Sequence, residues 1–86
     1  MTSYSSKELI AKIENMDIKN SSWTIGITTR PDARKEEHGN PKSWMVWQAN
    51  SLQAAQNTEN HFLRLGMKGG GGGDMDEKYI THVYIF

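Results

Sequence analysis

The last eight residues, "YITHVYIF" (79–86), constrain the fold most. Apolar or aromatic side chains fall on both faces of this run, and such a strand must be covered on both sides to be kept from water. The chain therefore needs a sheet with this segment near its centre. Only 86 residues are present to build it, and no cysteine braces it. A domain of this size buries about 60% of the surface its unfolded chain exposes, so its core is thin. The lack of cysteine excludes a disulfide framework and a thiolate metal site, and it fits a reducing compartment.

Two further strands are legible. In "SWTIGITT", Trp23, Ile25 and Ile27 alternate with Thr24, Gly26 and Thr28, a period of two rich in β-branched residues. Gly26 in the middle of that strand predicts a bulge or a close backbone approach. "SWMVWQAN" is the second strand. Three helices lie between and before them. Ser5 and Glu8 have capping-box spacing, and Leu9, Ile13 and Met16 then follow one face to about Asp17, with Ile10 beside them. Pro31 suits a first helical turn, and "DARKEEH" continues it until Gly39-Asn40-Pro41 ends it. Ser51 caps "LQAAQNTENHFLRLG", where Gly66 stands at the position that favours a left-handed C-terminal residue. The order predicts one α/β domain over residues 1–86, with a small three-stranded sheet, about three flanking helices and a flexible Gly-rich loop at 68–74.

Charge narrows the function classes. Ten basic residues balance ten acidic ones, whereas phosphate neutralisation supplies most of the affinity of a dedicated nucleic-acid binder. A local patch of Arg30, Arg34, Lys35 and Lys42 remains, diluted by Asp32, Glu36 and Glu37. Tight non-specific DNA binding is thereby disfavoured, while a weak DNA contact is not. No segment approaches the roughly 20 apolar residues of a membrane span, and "MTSYSSKELI" has no secretory pattern. The expectation is a cytoplasmic domain with no membrane partner.

Glu59 is the most informative single residue. Leu52, Ala55, Phe62 and Leu63 form the apolar stripe of the third helix, and helical periodicity projects Glu59 from its middle. A carboxylate aimed at a core requires a counter-charge, a proton or a cation. An arginine partner at the sheet edge would satisfy it, and so would a metal or an acid–base role in a cleft. Arg34 and His38, one helical turn apart, share a face that suits a phosphate, although an exposed helix carries such pairs without a ligand too. Lys68 before Gly69–Gly73 lacks the strand-before, helix-after context of a phosphate loop, which leaves a flexible connection or an anion nest of free amides. Trp23, Trp44 and Trp47 read as packing residues; base stacking by Trp44 or Trp47 is the alternative, with no spacing to support it. His61 and His82 show no zinc-ligand spacing.

Together these pieces resemble the GIY-YIG nuclease superfamily. "TIGIT" is similar to that family's Tyr-Ile-Gly-x-Thr strand, Arg34 and His38 follow at the family's spacing, and "AQNTENHF" places Ala55, Glu59 and Phe62 in the register of its metal-binding helix. "HVYIF" is similar to the family's opening Gly-Ile-Tyr strand, with Tyr84 at the tyrosine and His82 where the glycine belongs. The resemblance thus implies a circular permutation. Thr24 stands at the second tyrosine, and a threonine is no phenol. What the resemblance implies is a divalent-metal-dependent phosphodiesterase or DNA endonuclease. Glu59 would hold Mg²⁺ or Mn²⁺. Arg34, His38 and Tyr84 would complete the catalytic set, with Thr24, Gly26 and Lys68 near the phosphate or backbone. A non-catalytic nucleic-acid- or nucleotide-binding domain, and a protein-interaction domain, stand as alternatives on the same scaffold. The glycine tether is also compatible with either a monomer or a strand-exchanged dimer.

Overall fold

A computed structural model of the chain describes residues 2–70 and 79–86. Helix α1 (Ser6–Glu14) opens on the expected capping box: Ser5 accepts from the Glu8 amide, and the Glu8 carboxylate accepts from the Ser5 amide. Leu9 and Ile13 form its buried stripe. A single 3-10 turn, Asn20–Ser22, leads into β1 (Thr24–Thr28). Helix α2 (Pro31–Glu37) starts on its proline and buries no residue. Strand β2 (Met45–Gln48) follows, and then α3 (Leu52–Arg64), whose N-cap Ser51 accepts from the Ala54 amide at 3.0 Å. The end of α3 is closed by two reversed hydrogen bonds, Gly66 N–H to Leu63 O and Met67 N–H to Phe62 O. That pattern needs a left-handed residue, and Gly66 supplies it with φ of +108°.

The sheet has four strands rather than the three the sequence predicts, in the order β2-β4-β1-β3. Strand β4 (His82–Ile85) is antiparallel to both β1 and β2, in the register Ile25↔Ile85 and Met45↔Ile85. The extra strand is β3 (Lys68–Gly69), which runs parallel to β1. It was hidden because its two residues belong to the stretch that composition assigns to a flexible loop at 68–74. Backbone pairing needs no side-chain pattern, so a lysine and a glycine can join a sheet edge without announcing it. Of that loop, residues 71–74 lie outside the described residues.

One face of the sheet carries the core. Ile25, Ile27, Val83 and Ile85 pack there with Leu9 and Ile13 of α1 and with Ala54, Ala55 and Phe62 of α3. Trp23 and Trp47 pack against this core, part-buried, as their place in the alternation predicts. The opposite face bears the other half of the alternation, with Thr24, Gly26 and Thr28 on β1 and His82 and Tyr84 on β4. Strand β4 is covered on both sides, since Val83, Tyr84 and Ile85 are all fully buried.

Tyr84 accounts for Gly26. The two residues are direct partners across β1 and β4, and the tyrosine ring lies over the glycine. A Cβ on Gly26 would overlap the Tyr84 hydroxyl and ring, and one on Gly70 would stand 2.5 Å from the same hydroxyl. The close approach the sequence predicts at Gly26 is therefore real, but a side chain makes it. No backbone or phosphate has room there. Gly26→Ala is expected to destabilise the domain by about 1–3 kcal/mol, the range for overpacking a filled site. Urea denaturation should show a much smaller effect of the same change in a Tyr84→Ala background; equal losses in both backgrounds would refute the steric account.

Candidate functional site

The outer face of the sheet gathers residues from widely separated segments. His38 is the C-cap of α2, where its amide donates to the Arg34 and Glu36 carbonyls, and this position aims the ring inward at β4. Its Nε2 lies 3.2 Å from the Tyr84 hydroxyl. That hydroxyl also donates to the Gly70 carbonyl at 3.2 Å. One hydroxyl proton cannot serve both contacts, so with Gly70 as its acceptor, His38 must present Nε2–H to the oxygen. The result is a short chain from α2, through the central strand, to the peptide that follows β3.

Aromatic rings surround this chain. Trp44 stacks on Tyr84 with ring centroids 4.5 Å apart and planes 15° off parallel. Phe86 lies within 4.8 Å of the His38 ring centroid and within 20–25° of parallel to the others, at 16° to Tyr84 and 23° to Trp44. Desolvation under this cover raises the Tyr84 phenol above its ordinary value. The charge of Arg34 opposes that rise, while the charges of Glu59 and Glu37 add to it. Among the described residues, the hydroxyl's side-chain and backbone contacts are His38 and Gly70; Arg34 and Glu59 act on it through charge alone.

The predicted residues therefore converge in part. His38 and Tyr84 meet on the outer face, while Arg34 on α2 and Glu59 on α3 act on the phenol only through their charges. Arg34 binds Glu37 through a 3.1 Å Nη1–Oε2 contact, in which the glutamate side chain is 59% exposed. Glu59 is not in the middle of the buried stripe, as periodicity predicts. Ala54, Ala55, Thr58 and Phe62 hold that place, and Leu63 is exposed. The helix is rotated because Thr58 can enter the core by donating its hydroxyl to the Ala54 carbonyl at 2.8 Å, which a carboxylate cannot do. Glu59 lands half-buried at the stripe's edge. Among the described residues it takes no hydrogen bond and no ion pair, and burial raises its carboxyl above the usual value of 4.5.

The remaining named residues have other surroundings. Thr24 is held in the sheet by its amide to the Phe86 carbonyl at 2.7 Å and pairs with Lys68 on its other side. The amides of Lys68 and Gly70 donate to Trp23 and Ile25 carbonyls, so neither serves in an anion nest. Lys68 itself remains exposed on β3. His61 lies 3.6 Å from Glu14, between α3 and α1 and away from the outer face. Burial lowers the His82 imidazole, so it adds no charge at neutral pH. Trp44, read from the sequence chiefly as a packing residue, and Phe86, which that reading did not single out, are the further contributors. The period-two alternation, which puts residue 44 with 46 and residue 84 with 86, was the signal that placed them on this face.

The chain matches no family model, no curated protein and no solved structure. Its site is therefore read from geometry. Among the described residues no group of three or more His, Asp or Glu could hold a metal. That argues against a site built wholly from protein ligands, but it does not bear on Mg²⁺, which keeps most of its waters and needs one or two carboxylates. Glu59, half-buried and without a counter-charge among the described residues, fits that requirement. A cavity of about 490 Å³ lies elsewhere, at the start of α3, lined by Gln48, Asn50, Ser51, Tyr79 and Thr81 among others, and contains none of the four residues.

Glu59 makes a pH prediction. Because burial raises its folded-state pKa, the folded protein holds more protons than the unfolded one as pH climbs past 4.5, and stability falls through that window. Glu59→Gln should raise the melting temperature near neutral pH, with the advantage shrinking as the pH is lowered towards that value. An unchanged difference across the range would contradict it. For Tyr84 the raised pKa keeps the phenol protonated past 10.0, so absorbance titration should show one late-ionising tyrosine, missing in Tyr84→Phe.

Proposed function

We propose that this domain is a metal-dependent phosphodiesterase of GIY-YIG type, acting on a DNA phosphodiester at the rim of the outer face. The observation that carries the proposal is the meeting of His38 and Tyr84 at 3.2 Å, with Arg34 and Glu59 both electrostatically coupled to that hydroxyl. The His38 imidazole meets the Tyr84 phenol, and the Arg34 and Glu59 charges act on that phenol, which supports a site at this face.

Each residue has a role that its surroundings support. Arg34 would leave Glu37 for a phosphate oxygen, and an exposed ion pair of this kind is worth too little to prevent that exchange. Its fork would then stabilise charge developing on the phosphoryl oxygens. His38 would hold or pass a proton at Nε2, with the Tyr84 hydroxyl fixing the ring's orientation. Glu59 would hold Mg²⁺ or Mn²⁺, which supplies charge to polarise the scissile phosphate. Hydrolysis adds water across the P–O bond, and the departing alkoxide takes up the proton.

A second reading has its own support. Tyr84 is fully buried with both hydroxyl contacts made, and Thr24 offers no phenol. Those features favour the same face binding a phosphodiester without cutting it.

One set of measurements separates the readings. Amide NMR with Mg²⁺ should show shifts clustered around Glu59 and Tyr84 that disappear in Glu59→Ala. Short single-stranded and duplex DNA should then be cleaved only with the metal. Arg34→Ala should lower the rate roughly 100- to 1,000-fold. Shifts with DNA but no cleavage would select the binding reading. No response to metal or DNA would reject both and redirect attention to a protein partner.

A further inference from the structure

The stacked rings on the outer face exceed what a phosphate site requires. Trp44 lies on Tyr84 at 4.5 Å, and Trp44, Tyr84 and Phe86 are mutually within 23° of parallel. Trp44 and Phe86 are only part-buried, and Val46, beside them on the same face, is exposed at 38%. A fully packed core would close over rings of this size. Here the stack reaches the surface next to His38.

We infer that Trp44 and Phe86 form a stacking platform for an unpaired base, so that the ligand is single-stranded nucleic acid. The inference rests on the phosphodiester reading of the neighbouring residues and names the substrate class for it. Two arguments select this occupant. Near-parallel rings at a surface match the flat face of a base, and stacking tolerates any base because each presents a π-face. The charge balance supplies the second. With ten basic and ten acidic residues, the chain cannot draw its affinity mainly from neutralising a duplex backbone. Exposed Lys42, two residues before Trp44, and part-buried Arg34 suffice for a few phosphates of a strand whose bases do the rest. In an intact duplex the base faces are already stacked on one another and out of reach.

The test is binding of a fluorescein-labelled twelve-nucleotide thymidine strand, followed by anisotropy in EDTA, which keeps hydrolysis out of the measurement. The strand should bind at least roughly tenfold more tightly than a matched duplex, with a log–log salt slope no steeper than about −2. Trp44→Leu, which keeps apolar bulk but removes the indole, should weaken binding roughly 5- to 150-fold. Trp44→Phe should retain most of it. In case Trp44→Leu does not fold, the parent protein carries a second readout: of its three tryptophan indole N–H signals, that of Trp44 should move most on adding the strand. Equal or tighter duplex binding, a folded Trp44→Leu at full affinity, or a motionless Trp44 signal would each overturn the platform. Metal-dependent cleavage of duplex DNA would survive that result, so the two proposals fail separately.

Discussion

The structure depends on one side chain lying flat across its neighbour. Tyr84 projects from the central strand, crosses Gly26 on β1, and ends in a hydrogen bond to Gly70 beyond β3. Three strands are thereby tied on the face opposite the helical core, where α2 offers no buried residue to do the same work. The arrangement also fixes what neighbours are allowed. Glycine is required at 26 and 70 because the phenol fills the space, and Trp44 covers the phenol from outside. Burial of the hydroxyl then makes its two partners obligatory, since a buried polar group left unpaired costs about 1–3 kcal/mol. His38 is one of those partners, so the constraint that holds the sheet also orients the histidine.

Electrostatics follow from the same geometry. A neutral domain has no long-range field to attract a polyanion, so any ligand must be held by local groups. Arg34 is paired to an exposed glutamate and Glu59 to nothing among the described residues. One charge is thus easily released and the other is available. Both act on a phenol whose own ionisation is suppressed.

Much of the fold was legible in the sequence, because its signals are local. The Ser5–Glu8 capping box, Pro31 at the start of α2, Ser51 and Gly66 around α3, and the alternation through β1 all express short-range geometry. The central place of "HVYI" was legible from its double-sided apolarity. What stayed hidden needs a partner to define it. Strand β3 exists through backbone bonds to β1, with no pattern of its own. Periodicity misplaced Glu59 because it treats threonine as polar, while Thr58 satisfies its hydroxyl on its own helix and joins the core. At the site, Arg34 and His38 were named from spacing, Glu59 from helical periodicity and Tyr84 from the family resemblance, but the His38–Tyr84 contact joins segments far apart in the chain. Base stacking by Trp44 was an alternative that spacing did not support, and Phe86 was not singled out, because alternation identifies a face without saying what covers it.

The strand order has a consequence for how the sheet comes into being. Strands β1 and β2 never pair with each other; β4 enters between them from far along the chain and pairs with both, while β1 has only the two-residue β3 on its other side. Until β4 arrives, the facing edges of β1 and β2 are unpaired. Helices α1 and α3 can form early on their own caps, but the sheet must close in a single late insertion. Lengthening the connection before β4 would change that step only slowly, because loop-closure entropy grows with the logarithm of length. Weakening β4 would instead leave two adhesive edges waiting, the condition under which neighbouring chains exchange strands or aggregate. The segment that defines the centre of the domain is thus also the switch between folding alone and sticking to a neighbour.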